Sequence, residues 1–200
     1  MARQHFSEKF EIWLDAHQEK NIGDLLLFFD TKSFAIFFLI FMFVPSLPIP
    51  TGGITHFVLL PAVWIVSLQM IFGRKTFWLP KSILIRPLGT GFLKKALPFM
   101  IRRIKTLEKI SRPRNKAVFH NQIFKSFAGI CVLILAIACF ISPPFSGLDT
   151  VPAMGAVIIA LSIIVEDSVL FGLGFIVGSI GIGIIAAAAH IVVTFFKALF

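Results

Sequence analysis

The stretch Phe43-Val-Pro-Ser-Leu-Pro-Ile-Pro-Thr-Gly-Gly-Ile54 separates two apolar runs, Phe34 to Val44 and Ile54 to Phe72, neither of which carries a charge. Proline removes a backbone donor and clashes with the preceding helical turn. Pro45, Pro48 and Pro50 followed by Gly52 and Gly53 therefore cannot continue a helix. The backbone is broken between two apolar segments, either at the edge of a bilayer or inside it. A similar break returns as Ile141-Ser-Pro-Pro-Phe-Ser-Gly-Leu-Asp-Thr-Val-Pro152.

The chain is 57% hydrophobic and only 14% charged, with a mean hydropathy of +0.91. A soluble domain cannot hide that much apolar surface, so the sequence reads as an integral membrane protein. The net charge of +9 is concentrated rather than spread. Fourteen Lys and Arg lie between Gly73 and Ser126, with Glu108 the only acid among them. That is the signature of a cytoplasmic loop under the positive-inside rule. Anionic phospholipid headgroups are the expected partner, with Arg74, Lys75, Trp78, Arg102 and Arg103 as contacts. Nucleic acid is not expected, since no recognition module accompanies the charge. Cys131 and Cys139 fall eight apart in one apolar run, too far along a helix to bond each other, and read as small packing residues.

Taken in order, residues 1–32 form an N-terminal amphipathic cytoplasmic segment. Phe6, Phe10, Trp13, Leu14 and His17 recur at helical spacing between charges, and no basic start precedes an apolar core as in a signal peptide. Residues 33–72 form a first membrane unit, in which Pro61 is expected to kink the second helix. Residues 73–126 form a basic interfacial loop with an amphipathic helix between Phe92 and Ser111. Residues 127–200 form a second membrane unit, with apolar segments at Phe127 to Ser142, Val151 to Val165 and Val169 to Phe196. The last is either one tilted helix or a helix broken near Gly181-Ile-Gly183. Gly174 and Gly178 form a GxxxG pair whose face could receive a second copy in a homo-oligomer. The expected fold is all-α, with about four to five membrane segments, proline-broken or re-entrant turns and interfacial amphipathic helices.

Superposing Ser67 to Arg74 on Ala160 to Asp167, an offset of 93 (167 minus 74), also brings Pro50 onto Pro143 and His56 onto Asp149. Prolines and exit charges coincide along with hydropathy, which suggests a two-fold internal repeat. With the basic loop and Met1 both inside, each half would cross out and back, making the repeats parallel.

Several features resemble the bacterial ExoD family. They are Ile22-Gly-Asp-Leu-Leu26, Ser33-Phe34, Pro45 through Pro50 with Thr51-Gly-Gly-Ile-Thr55, Leu60-Pro61, Leu68-Gln69, Gly73-Arg-Lys75 and Trp78-Leu-Pro80. The second half adds Pro152-Ala153, Ala160-Leu161, Glu166-Asp167 and the glycine-rich end. The resemblance covers about Asn21 to Gly183. The chain departs from the family at the Thr51 to Thr55 turn and lacks an arginine at the Glu166-Asp167 exit. The resemblance implies an inner-membrane protein linked to exopolysaccharide synthesis, without implying a reaction or substrate.

No metal-ligand pattern, nucleotide loop or nucleophile elbow is visible, so neither a catalytic centre nor a cofactor is expected. The polar residues around the breaks form the candidate substrate site: Thr51, Gly52, Gly53, Thr55, His56, Gln69, Asp149 and Thr150. A carboxylate at membrane depth is costly and usually functional, although Asp149 would serve equally as a helix cap in an exposed loop. Free N–H groups at Gly52, Gly53 and Ile54 could hold a phosphate. Two functions follow: a transporter of an anionic small molecule or lipid-linked phosphate, or a non-catalytic scaffold of a polysaccharide-assembly complex. The depth of the two breaks discriminates between them.

Overall fold

The computed structural model describes residues 8, 12, 32–48, 55–74, 78, 98–99, 101–102, 105–106, 116–143 and 146–199. Most of the N-terminal amphipathic segment and of the basic segment 73–126 lies outside these residues. Every described element is helical. They are α1 (Ser33–Phe43), a π-helical turn (Thr55–Leu59) running into α2 (Leu60–Ile71), α3 (Lys116–His120), α4 (Gln122–Ile141), α5 (Thr150–Val165) and α6 (Ser168–Leu199).

The sequence of α1, SFAIFFLIFMF, has no polar stripe, and nine of its eleven residues are buried. A helix that is apolar all round is stable only when covered all round. Here α5 supplies the largest part of that cover, with α2 beside it. Pro61 does not kink a helix interior as expected. It stands in the first turn of α2, directly after the π-helical turn. The wider π turn makes room where the proline ring would meet the carbonyl four residues back.

The third apolar segment starts earlier than Phe127. Asn121 Oδ1 accepts from the Ile123 N–H (3.0 Å), so α4 begins at Gln122 and reaches 20 residues. Its inner face is Ala128, Cys131, Val132, Leu135, Ala136 and Cys139, while Ile123, Ile130, Ile134 and Ile137 remain exposed on the outer face. Apolar residues on both faces suit a helix with protein on one side and lipid on the other. Both α4 and α6 are long and apolar enough to cross a membrane.

The last segment is a single unbroken helix, the first of the two alternatives, with no break near Gly181. Its glycines serve close packing instead. A Cβ on Gly155 would lie 2.5 Å from Gly178 Cα, one on Gly174 2.8 Å from Ile159 N, and one on Gly181 2.5 Å from Pro152 N. The Gly174/Gly178 face, expected to receive a second copy, is therefore filled by α5 and by Leu135 of α4 within the same chain. Beyond Ile182 the helix leaves the bundle: Ile184, His190, Ile191, Val192, Val193, Phe195 and Phe196 are all exposed.

The helix ends show how the bundle is threaded. α4 starts beside the end of α2, where Ser126 Oγ donates to the Ile71 carbonyl (2.9 Å) and Gln122 Nε2 to the Met70 carbonyl (3.4 Å). α1 starts beside the end of α5, where Lys32 Nζ donates to the Ile164 carbonyl and pairs with Glu166 Oε1 at 3.3 Å. Thus α4 is antiparallel to α2 and α1 antiparallel to α5. The short connection from α4 to α5 makes those two antiparallel as well, so α1 and α4 run the same way. Both proline-rich connections lie at one end of the bundle, and both helix exits, Gly73 and Glu166, lie at the other.

Replacing Gly155 by Val should force α5 and α6 apart, at a cost of about 1–3 kcal/mol or more. The same change at Gly183, whose Cβ would meet nothing within 4 Å, should be tolerated. Thermal unfolding of the two variants in detergent, followed by size-exclusion chromatography, should separate them clearly.

Candidate functional site

The end of the bundle that carries the proline-rich connections is where polar groups gather. Helix α2 is preceded by a π turn whose first two side chains, Thr55 and His56, are 1% and 7% exposed. His56 Nε2 reaches the Ser142 carbonyl at 3.3 Å, across 86 residues of sequence, and so joins the start of α2 to the end of α4. A carbonyl only accepts, so Nε2 carries the proton. His56 Nδ1 and Thr55 Oγ1 are buried without a hydrogen-bond partner, as are Ser33 Oγ, Ser67 Oγ and, beside the histidine's aromatic wall, Trp64 Nε1. A buried polar atom left unpaired costs roughly 1–3 kcal/mol. Two such atoms side by side at a helix start, where backbone N–H groups are also unspent, form a place that favours a polar or anionic ligand.

An aromatic wall flanks the histidine. The Phe140 ring lies 6.1 Å from His56 and makes an edge contact with Trp64 at 4.8 Å. On the far side the end of α4 is folded onto the start of α5. Ser142 Oγ donates to the Cys139 carbonyl (2.7 Å), and Cys139 Sγ donates to the Asp149 carbonyl (3.4 Å). Asp149 occupies the residue before α5, but its side chain makes no capping hydrogen bond. Asp149 and Thr150 are half-buried. A chain of contacts therefore runs His56, Ser142, Cys139, Asp149, linking the starts of α2 and α5.

The structure thus brings Thr55, His56, Asp149 and Thr150 to one end of the bundle. Gln69 is not with them. It sits near the other end of α2, where its side-chain amide pairs with the backbone of Trp78, Nε2 donating to the carbonyl at 2.9 Å and Oε1 accepting from the N–H. Its role there is to hold the chain leaving α2. Thr51, Gly52 and Gly53 lie outside the described residues, as do Lys75 and Arg103. Of the expected headgroup contacts, Arg74, Trp78 and Arg102 are exposed. Among the described residues no group of three His, Cys, Asp or Glu is arranged to hold a metal ion.

Sequence reasoning counts Ser142 among the polar residues near the breaks but not in the candidate site, because its contribution is a carbonyl and leaves no side-chain signal. It missed the helix-end latches. Lys32-Ser-Phe-Ala35 and Lys125-Ser-Phe-Ala128 are identical at the offset of 93; the first opens α1 and the second lies just inside the start of α4, and each helix caps its neighbour's last carbonyls. The exits match too. Gly73 and Glu166, 93 apart, both have positive φ, at 75° and 59°. The following N–H groups, Arg74 and Asp167, each return to the carbonyl five residues back, at 3.1 Å.

A sequence profile described as "Exopolysaccharide synthesis, ExoD" matches residues 10–187. The chain belongs to the ExoD family. A relative in Synechocystis sp., described as "Uncharacterized protein slr1875", is 32% identical over 161 residues, covering 78% of this chain and 72% of the relative. No solved structure matches. Membership carries a role in exopolysaccharide synthesis and association with membranes, to which the two membrane-length helices of this ExoD chain conform.

Glu166 offers a direct test of the latch. A non-glycine residue in the left-handed region costs roughly 1–2 kcal/mol, which glycine avoids. Glu166→Ala keeps that cost and loses the ion pair to Lys32, whereas Glu166→Gly loses the pair but removes the strain. Thermal melts of the purified variants should rank the native protein and Glu166→Gly close together, with Glu166→Ala lowest by about 1 kcal/mol.

Proposed function

We propose that this ExoD protein is a multi-pass protein of the bacterial inner membrane that binds a phosphate-bearing anion at the junction of Thr55, His56, Ser142 and Asp149, and that it transports a small anion or a lipid-linked phosphate for exopolysaccharide synthesis. The observation that carries this reading is the pair of buried, unpartnered polar atoms, Thr55 Oγ1 and His56 Nδ1, at the start of a membrane helix. His56 would hold the ligand through Nδ1 while Nε2 stays fixed on the Ser142 carbonyl. Backbone N–H groups at the start of the π turn would add the helix dipole.

The length of α6 supports a deep position for this junction. Asp167 and Lys197 bracket about 45 Å of apolar helix, close to the ~40–45 Å of a whole bilayer with its headgroups. Gly181, which abuts Pro152 at the start of α5, stands near the middle of that length. A bilayer that covers α6 then holds the two broken turns near its midplane, as re-entrant hairpins. Polar groups at that depth are usually functional. The recurrence of Lys-Ser-Phe-Ala, of the positive-φ exits and of the crossed helix-end bonds at one offset supports a parallel two-fold repeat. The positive-inside rule would put the N-terminus, residues 73–126 and both helix exits in the cytoplasm, with Arg74, Lys75, Trp78, Arg102 and Arg103 against anionic headgroups.

The uncovered outer part of α6 favours a second reading, in which the protein is a scaffold docking another membrane component. Two measurements separate the readings. In a variant lacking Cys131 and Cys139, Ser146→Cys should react slowly with an impermeant thiol reagent, and inorganic phosphate should slow it further. His56→Ala and Asp149→Asn should each abolish complementation of an exopolysaccharide-deficient strain while protein levels hold. Fast labelling at Ser146→Cys with full complementation by both variants would leave the scaffold.

A further inference from the structure

We infer that the junction takes up one proton with each anion, at His56 Nδ1, so that the protein carries the two together. This rests on the anion site proposed above and says what binding there requires. Five buried polar atoms among the described residues have no hydrogen-bond partner: Ser33 Oγ, Thr55 Oγ1, His56 Nδ1, Trp64 Nε1 and Ser67 Oγ. Four of them belong to hydroxyls or to an indole N–H, groups that keep one charge state near neutral pH. His56 Nδ1 belongs to the one side chain of the set that can gain a charge there.

The tautomer decides what Nδ1 can do. Nε2 donates to the Ser142 carbonyl at 3.3 Å, so in the neutral ring the proton is on Nε2 and Nδ1 presents a lone pair. A lone pair repels an anion. Once Nδ1 is protonated, the imidazolium donates at both nitrogens, to Ser142 and to the ligand. Burial makes the same demand. His56 is buried, and an anion placed beside it needs a countercharge. Thr55 and Ser142 are neutral, and Asp149 carries the ligand's own sign. On the elements packed against the π turn, the other titratable group at this end is the Cys139 thiol of α4, which donates to the Asp149 carbonyl. Helices α1 and α2 bring none. Arg102 and Lys105 follow Phe99, whose ring lies 6.0 Å from Phe43 at the end of α1, and both cations are exposed. The countercharge inside the junction is therefore His56 itself. The step balances as neutral His56, one proton from water and the anion, giving an imidazolium–anion pair with one negative charge fewer than the anion alone.

The test is calorimetric, with the full-length protein in maltoside detergent and with sulfate and inorganic phosphate as probes. Sulfate is fully ionised near neutral pH and has no proton to offer, whereas phosphate can present its own O–H to a neutral Nδ1. Titrations in two buffers of unlike ionisation enthalpy should read about one proton taken up per sulfate bound at about pH 8. Sulfate affinity should fall about tenfold per pH unit above neutrality. His56→Gln, which keeps a donor for Ser142, should bind sulfate roughly tenfold more weakly at about pH 7 and lose both the uptake and the pH slope. Asp149→Asn should keep both. Sulfate binding without uptake, phosphate binding without sulfate binding, or uptake that survives His56→Gln would overturn the proton assignment and leave the anion site standing. Failure of both anions to bind at any pH between about 6 and 8 would remove the site and the proton assignment with it.

Discussion

A helix ends on four carbonyls that have no partner within the helix itself. The bundle is organised around meeting that demand at one end of two short helices. The last carbonyls of α2 are met by Gln122 and Ser126 of α4, and those of α5 by Lys32 at the start of α1. Each helix end is met partly by its own following backbone and partly by the opposite half of the chain, so the two hairpins share the closing of their last turns. The ion pair from Lys32 to Glu166 adds modest Coulomb energy at a partly exposed site. Its larger effect is geometric, because it holds a glutamate in a backbone conformation that the other half gives to glycine.

The same crossing fixes what the remaining helices can do. With α1 laid against α5 and α2 against α4, the two starts of α2 and α5 are left together at the far end, and His56 reaches the end of α4. Helix α6 then covers α5 through Gly174, Gly178 and Gly181, positions where any side chain would collide with the neighbouring backbone or with Leu135. Glycines that read as an oligomer face in isolation are consumed inside the molecule because α5 presents its own glycine, Gly155, to them. Small-residue motifs specify close approach, and the partner is set by what else lies within reach.

This explains which parts were legible beforehand. The helical class, the two breaks and the membrane character follow from proline positions and charge-free runs, which act locally. The grouping of His56 with Asp149 was also legible, since both stand at the same register after a break. Gln69 was misjudged because its chemistry is ordinary and its partner, the Trp78 backbone, carries no side-chain signature. Pro61 was expected to kink a helix, but a π turn in front of it moves the proline into a first turn, where it is harmless. The start of α4 was placed late because Lys125 looked like the end of the basic segment, while Asn121 supplied the cap upstream.

The polar junction and the helix latches make opposite demands on the bilayer. At the latch end, charge and helix-end carbonyls are matched by Lys32, Gln122 and Ser126. At the junction end, Thr55 and His56 are buried at a helix start with polar atoms unspent, as are Ser33, Trp64 and Ser67 elsewhere in the bundle. Had the protein needed only to bring two hairpins together, an apolar pair at these positions would have packed against Phe140 at lower cost. Retaining an imidazole fixed at one nitrogen and open at the other is the arrangement of a group that waits for a partner.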